Sequence, residues 1–183
     1  AEKKSSGMTG LAGLPLYLEL AEAAGLPDAI ERYVRVRADG QGWTDRQMVM
    51  ALVLLNLAGG DAVDDLRILE EDEGFAELLR LSEVAGRRRR ERRSLLRRWR
   101  KERRRAVPSP SAVFRYLSDF HDGEQERLRR PQQAFIPAPT APLCGLGLVN
   151  KQLLSFVQRR KREAVATLDQ DATVIASEKK EAL

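Results

Sequence analysis

Apolar positions recur at helical spacing along most of the chain. Leu14, Leu18 and Ala21 share one face of a segment from Leu14 to Ala24, and Gly25 ends it. Pro27-Asp28 opens a short second helix that runs through Tyr33 and Val34, and Gly40 and Gly42 mark a loop. Thr44-Asp45-Arg46-Gln47 is a capping box: the Thr hydroxyl and the Gln side chain each satisfy a free backbone N–H. The helix it starts runs to about Ala58 and is apolar nearly all round, which predicts the central buried helix. Gly59-Gly60 stops it. Asp61 then caps a further helix with Val63, Leu66 and Leu69 turned inward. Gly74 breaks the pattern, and Phe75 to Leu81 forms one more short helix.

The second half changes character. Arg87 to Arg105 has Leu95, Leu96 and Trp99 as its only apolar residues besides a basic remainder. Pro108 and Pro110 end it. Ser109 caps the next helix, with Pro110 suited to the first turn, and Val113, Tyr116, Leu117 and Phe120 form its apolar stripe. Residues 131–145 read as a linker rich in Pro and Ala. Leu146 to Arg160 reads as a last helix, with Leu153, Phe156 and Val157 inward. An apolar run, Ala164 to Leu168, then leads into Asp169 and Asp171. On a strand these two acids point the same way, with Thr167 and Thr173, while Leu168, Ala172 and Val174 take the other face. Neighbouring carboxylates repel unless a cation sits between them, and hard cations such as Mg²⁺ prefer carboxylate oxygens. The same acid-x-acid pattern also serves as a solvated turn at a strand end. No internal repeat is visible.

Charge sharpens the picture. The chain has 183 residues, 43% of them apolar, and a net charge of +5. Residues 1–85 carry 8 Lys and Arg against 16 Asp and Glu; residues 86–105 carry 13 against 2; residues 106–183 carry 11 against 9. The regional balances are therefore −8, +11 and +2, so the positive excess sits in one segment. Such a block is an electrostatic footprint for a polyanion. The residues concerned are Arg87, Arg88, Arg89, Arg90, Arg92, Arg93, Arg97, Arg98, Arg100, Lys101, Arg103, Arg104 and Arg105. Arginine suits phosphate because its planar fork donates paired hydrogen bonds. A solvated basic run is the plain alternative. Membrane-surface binding would need a broad apolar face, which this segment lacks.

The helix from Ser109 to Phe120 follows the basic segment and a sharp turn. It is placed to be the recognition helix of a helix-turn-helix-like unit, presenting Ser111 and Ala112, with Arg115 one turn on. An ordinary amphipathic helix has the same pattern. The lone Cys144 excludes an internal disulfide and fits a reduced, cytoplasmic setting; it reads as a buried loop residue beside Pro142 and Gly145. His121, the single histidine, reads as a surface residue, and Trp43 and Trp99 as packing residues. The stretch after Ala1-Glu2-Lys3-Lys4 is broken by Pro15 and Glu19 and does not read as a signal peptide. The longest apolar run, Met48 to Ala58, falls short of the ~20 residues that span a bilayer.

Leu168-Asp169-Gln170-Asp171-Ala172-Thr173, followed by Glu178-Lys179-Lys180-Glu181-Ala182, resembles the first catalytic strand of bacterial insertion-sequence transposases of the DDE type. Gly13-Leu14-Pro15-Leu16, Gly42-Trp43-Thr44-Asp45, Leu57-Ala58-Gly59-Gly60-Asp61, Asp64-Asp65-Leu66-Arg67 and Pro108-Ser109-Pro110-Ser111 resemble the N-terminal region of the same family. The resemblance runs over nearly the whole chain. It implies a mainly α-helical fold: a helical DNA-binding region over 1–130, the linker over 131–145, and the first strand of an RNase H-like α/β domain within 146–183. It implies that Asp171, directly before Ala172-Thr173, is the first catalytic acid and metal ligand, with Asp169 beside it. It also implies Mg²⁺ or Mn²⁺ as cofactor, double-stranded terminal inverted repeats as partner, and a possible homodimer in the intact enzyme. In that family two divalent metals activate water and then a DNA 3′ hydroxyl for attack on a phosphodiester.

One departure matters. The chemistry uses three acids, the later two far downstream of the first, whereas only Glu178 and Glu181 follow Asp171 here. The expectation is therefore the front end of a transposase, cut within its catalytic domain, which binds DNA and does not cut it alone. A non-enzymatic helix-turn-helix regulator is the alternative from another class. A third is an all-α interaction protein whose acidic front half pairs with the basic block.

Overall fold

Turn residues cut the apolar stripes into short helices that pack around one central helix. The computed structural model describes residues 8–36, 42–85, 88–102, 105–128, 130 and 135–165. Among these residues the protein is mainly helical, with no strand. The helices are α1 (Leu14–Ala24), α2 (Leu26–Tyr33), α3 (Asp45–Leu57), α4 (Leu66–Glu71), α5 (Glu73–Glu83), α6 (Arg89–Glu102), α7 (Pro110–Ser118), α8 (Gly123–Glu126) and α9 (Ala141–Arg160), with a 3-10 turn at Val63–Asp65 before α4. The expected strand at 164–171 runs past Val165, beyond which the chain lies outside the described residues.

Local chemistry sets the boundaries. Gly25 takes a left-handed conformation (φ 71°) that ends α1 and leads straight into α2. At α3 the capping box is complete: the Gln47 N–H donates to the Thr44 hydroxyl at 3.2 Å and the Thr44 N–H donates to the Gln47 side chain at 3.0 Å. Past its other end, Gly59 (φ 80°) lets its own N–H reach the Asn56 carbonyl while the Gly60 N–H reaches that of Leu55. This pair of bonds is the Schellman arrangement, and it accounts for the stop read at Gly59-Gly60.

One core cluster joins α1, α3, α4, α5 and α7 through Leu14, Met48, Leu54, Leu66, Leu69, Phe75, Val113 and Tyr116, with Val107 from the α6–α7 connection. A second joins α2 and α9 through Ala29, Ile30, Val34 and Val149. Half-buried Val36, Val49 and Phe120 touch both clusters, so α3 lies between them as its all-round apolar character requires. Each fully buried side chain of this size contributes roughly 1.5–3 kcal/mol of transfer free energy.

Several expectations are corrected. The carboxylate serving the turn before α4 is that of Asp65, which accepts the Asp61 and Ala62 N–H groups; Asp61 does not cap the helix. Gly74 does not break a helix. Asp72 caps α5 by accepting the Phe75 N–H at 2.8 Å, and Gly74 lies within the first turn because the Met8 carbonyl passes where a Cβ would stand. α9 starts at Ala141, inside the segment read as linker, since Pro142 fits a first turn and Gly145 is needed for close packing. Cys144 is consequently an exposed helical residue and not a buried loop residue. Leu117 and Val157 were read as inward and are exposed.

Candidate nucleic-acid interface

The basic segment is a real helix. Over α6 there is no Gly, Pro or β-branched residue, and arginine is a good helix former. A step of four residues advances about 6 Å along a helix and returns to nearly the same face. Arg89, Arg93 and Arg97 therefore form one line, with Arg90 and Ser94 beside it. These five residues line an open groove of about 550 Å³. Arg88, Arg89, Arg90, Arg92, Arg93 and Arg97 are all exposed, whereas Leu96 is half-buried. Arg98, Arg100 and Lys101 belong to the same helix. Arg87, Arg103 and Arg104 lie outside the described residues. Arg105 is exposed, and its Nε donates to the Val107 carbonyl at 3.3 Å.

The segment after α6 is tied to the core. Glu70 on α4 accepts the Ala106 and Val107 N–H groups, and Val107 is buried in the first core cluster. The chain then turns through buried Pro108 into α7, where the Ser109 hydroxyl accepts the Ala112 N–H at 3.3 Å. Ala112, Val113 and Tyr116 face the core, and Ser111, Phe114, Arg115 and Ser118 face outward. The expectation that α7 presents Ala112 is thus corrected: one residue after Ser111 the helix has already turned to the core. Ser111 and Arg115 lie on the outer face, and the Arg115 Nε donates to the Ser111 carbonyl at 3.3 Å. Phe114 was missed in sequence; it is 54% exposed between them. The signal was present, because Ala112, Val113 and Tyr116 at spacing 1 and 3 fill the inward arc by themselves.

The connection over residues 103–109 is longer than the three or four residues of a helix-turn-helix turn. Asp169 and Asp171 lie outside the described residues, so their geometry is not part of this site. Among the described residues no group of three His, Cys, Asp or Glu side chains is placed to hold a metal. His121 is exposed beside a shallow cavity of about 300 Å³ that Leu117, Phe120 and Thr140 help to line. Trp43 is half-buried against the first core cluster, as expected. No helix among the described residues is long and apolar enough to cross a membrane.

Comparison with known proteins adds no relative. No family model matches the chain, and neither a curated protein nor a solved structure matches it significantly.

Proposed function

We propose that this chain binds double-stranded DNA through α6 and the outer face of α7, as the helical front region of an insertion-sequence transposase. The observation that carries the reading is the line of exposed Arg89, Arg93 and Arg97 on a helix whose following residues are fastened to the core. Guanidinium groups repeated along one face meet successive phosphates, and the binding gains free energy from counterion release. Arg88, Arg90 and Arg92 widen the positive surface. On α7, Ser111 and Arg115 supply polar groups for base edges; an arginine reads guanine by a paired hydrogen bond in the major groove.

The transposase part of the reading rests on the motifs around Asp171 and along the N-terminal half. In it, Asp171 and Asp169 are the acids to which Mg²⁺ or Mn²⁺ binds, and the metal supplies activation of the attacking oxygen. The ligand is the terminal inverted repeat of the element. The reading is tested by titrating labelled terminal-repeat and random duplexes with the chain at several salt concentrations. Binding to both at low salt, with retained preference for the repeat at higher salt, is expected. No binding to either at low salt contradicts it.

A further inference from the structure

Helix α9 has two faces, and its own fold uses only one. Gly145, Val149, Gln152, Leu153 and Phe156 are buried or half-buried, and Val149 packs in the second core cluster against α2. Turned roughly opposite are Leu143, Gly147, Asn150, Leu154 and Val157, all exposed. Their spacing is four, three, four, three, which is the seam of a helix pair. Leu143, Leu154 and Val157 are 45%, 59% and 56% exposed.

Two glycines on this helix make the contrast. A Cβ at Gly145 would overlap the Tyr33 carbonyl oxygen, so that glycine is required by the packing on α2. A Cβ at Gly147 would meet nothing within 4 Å. A glycine inside a helix is less favourable than alanine, and the fold of this chain gives no reason for the one at Gly147.

We propose that α9 pairs antiparallel with α9 of a second copy of this chain, about a two-fold axis at Asn150. The seam is self-complementary in that arrangement. Leu143 meets Val157 of the second copy, and the gap over Gly147 receives Leu154 of the second copy, so the largest outward side chain fills the space left by the smallest. Asn150 meets its own counterpart, and an amide pairs with an amide by donating and accepting at once. A single Asn in such a seam fixes register. Charge sets the direction. Arg159, Arg160 and Lys161 end the helix exposed. A parallel pair would bring these clusters together, whereas an antiparallel pair of 20-residue helices holds them about 30 Å apart. The pairing does not depend on the DNA reading.

Sedimentation equilibrium of the full chain over a wide concentration range tests this. A monomer–dimer equilibrium is expected. Gly147→Leu fills the gap and should weaken it by about tenfold or more, and adding Leu154→Ala to that variant should recover the dimer. A monomer at all concentrations, or a dimer indifferent to Gly147→Leu, overturns the proposal. Orientation is read with two exposed single-cysteine chains, Leu143→Cys and Val157→Cys, each combined with Cys144→Ser. These need no core change, so they hold the test if Gly147→Leu fails to fold. Mixed under mild oxidation, the two should form the hetero-disulfide in preference to either self-disulfide. Predominant self-disulfides indicate a parallel pair and overturn it.

Discussion

One carboxylate oxygen of Glu70 accepts the backbone N–H of Val107 at 3.1 Å, and the same oxygen accepts that of Ala106 at 2.8 Å. The acidic half of the chain thereby holds the exit of the basic helix through one side chain. Glu70→Ala strips two part-buried N–H groups of their acceptor. It is expected to lower unfolding free energy by about 1–3 kcal/mol. Glu70→Gln keeps an acceptor oxygen and should lose less. Urea denaturation followed by circular dichroism compares the three proteins, and an alanine variant as stable as the parent would refute the anchor.

Asp72 makes a pH-dependent contribution. Partial burial pushes its pKa up, but hydrogen bonds from the Phe75 N–H, the Thr9 hydroxyl and the N–H groups of Gly10 and Leu11 outweigh this and hold it below its ordinary 3.8. The charged carboxylate caps α5 and ties down the segment before α1. Because the folded value is lowered, this stability is complete above the unfolded value and is lost as pH falls through the folded one. The parent should be more stable than Asp72→Asn at neutral pH, and the gap should close below about pH 4. A gap that is constant down to the acid limit argues against it. Melting temperatures across the acid range supply the comparison.

Gly145 is where α9 crosses α2 most closely. Gly145→Ala should cost about 1–3 kcal/mol, since neither the Tyr33 carbonyl nor the α9 backbone can give way without disturbing Val149 and Ile30. Thermal melting of this variant decides the matter. A melting temperature equal to that of the parent would mean that the crossing is looser than drawn.

Arg115 separates recognition from general attraction. If α7 enters the major groove, Arg115→Ala should cost roughly 1–3 kcal/mol on the terminal repeat and much less on random duplex. Equal losses on the two, measured by fluorescence anisotropy, would reduce α7 to scaffold.

The elements carried by local chemistry were legible in the sequence. The Thr44–Gln47 box, the Gly25 and Gly59 stops and the Ser109-Pro110 start each act within a few residues, and each is found where it was read. What was misread depends on contacts between distant segments. Gly74 looked like a breaker because Met8, over which it closes, is far away in sequence. Pro142 and Gly145 looked like linker until the packing of α9 on Tyr33 gave the glycine a purpose. The line of arginines on α6 followed from spacing alone, but its fastening through Glu70 did not, because a Glu on a polar helix face carries no sign of a partner 36 residues on.

The salt dependence of duplex binding tests the central claim most directly. Arg89, Arg93 and Arg97 are replaced together by Ala, which preserves the helix because alanine favours it. The plot of log affinity against log salt for the parent should be steep, and the variant should lose about 0.9 from the slope for each phosphate contact removed. Far-UV circular dichroism should show the helix content unchanged. A shallower slope on terminal-repeat and random duplex alike is the predicted result; a variant with the slope and affinity of the parent would contradict the assignment of α6 to DNA.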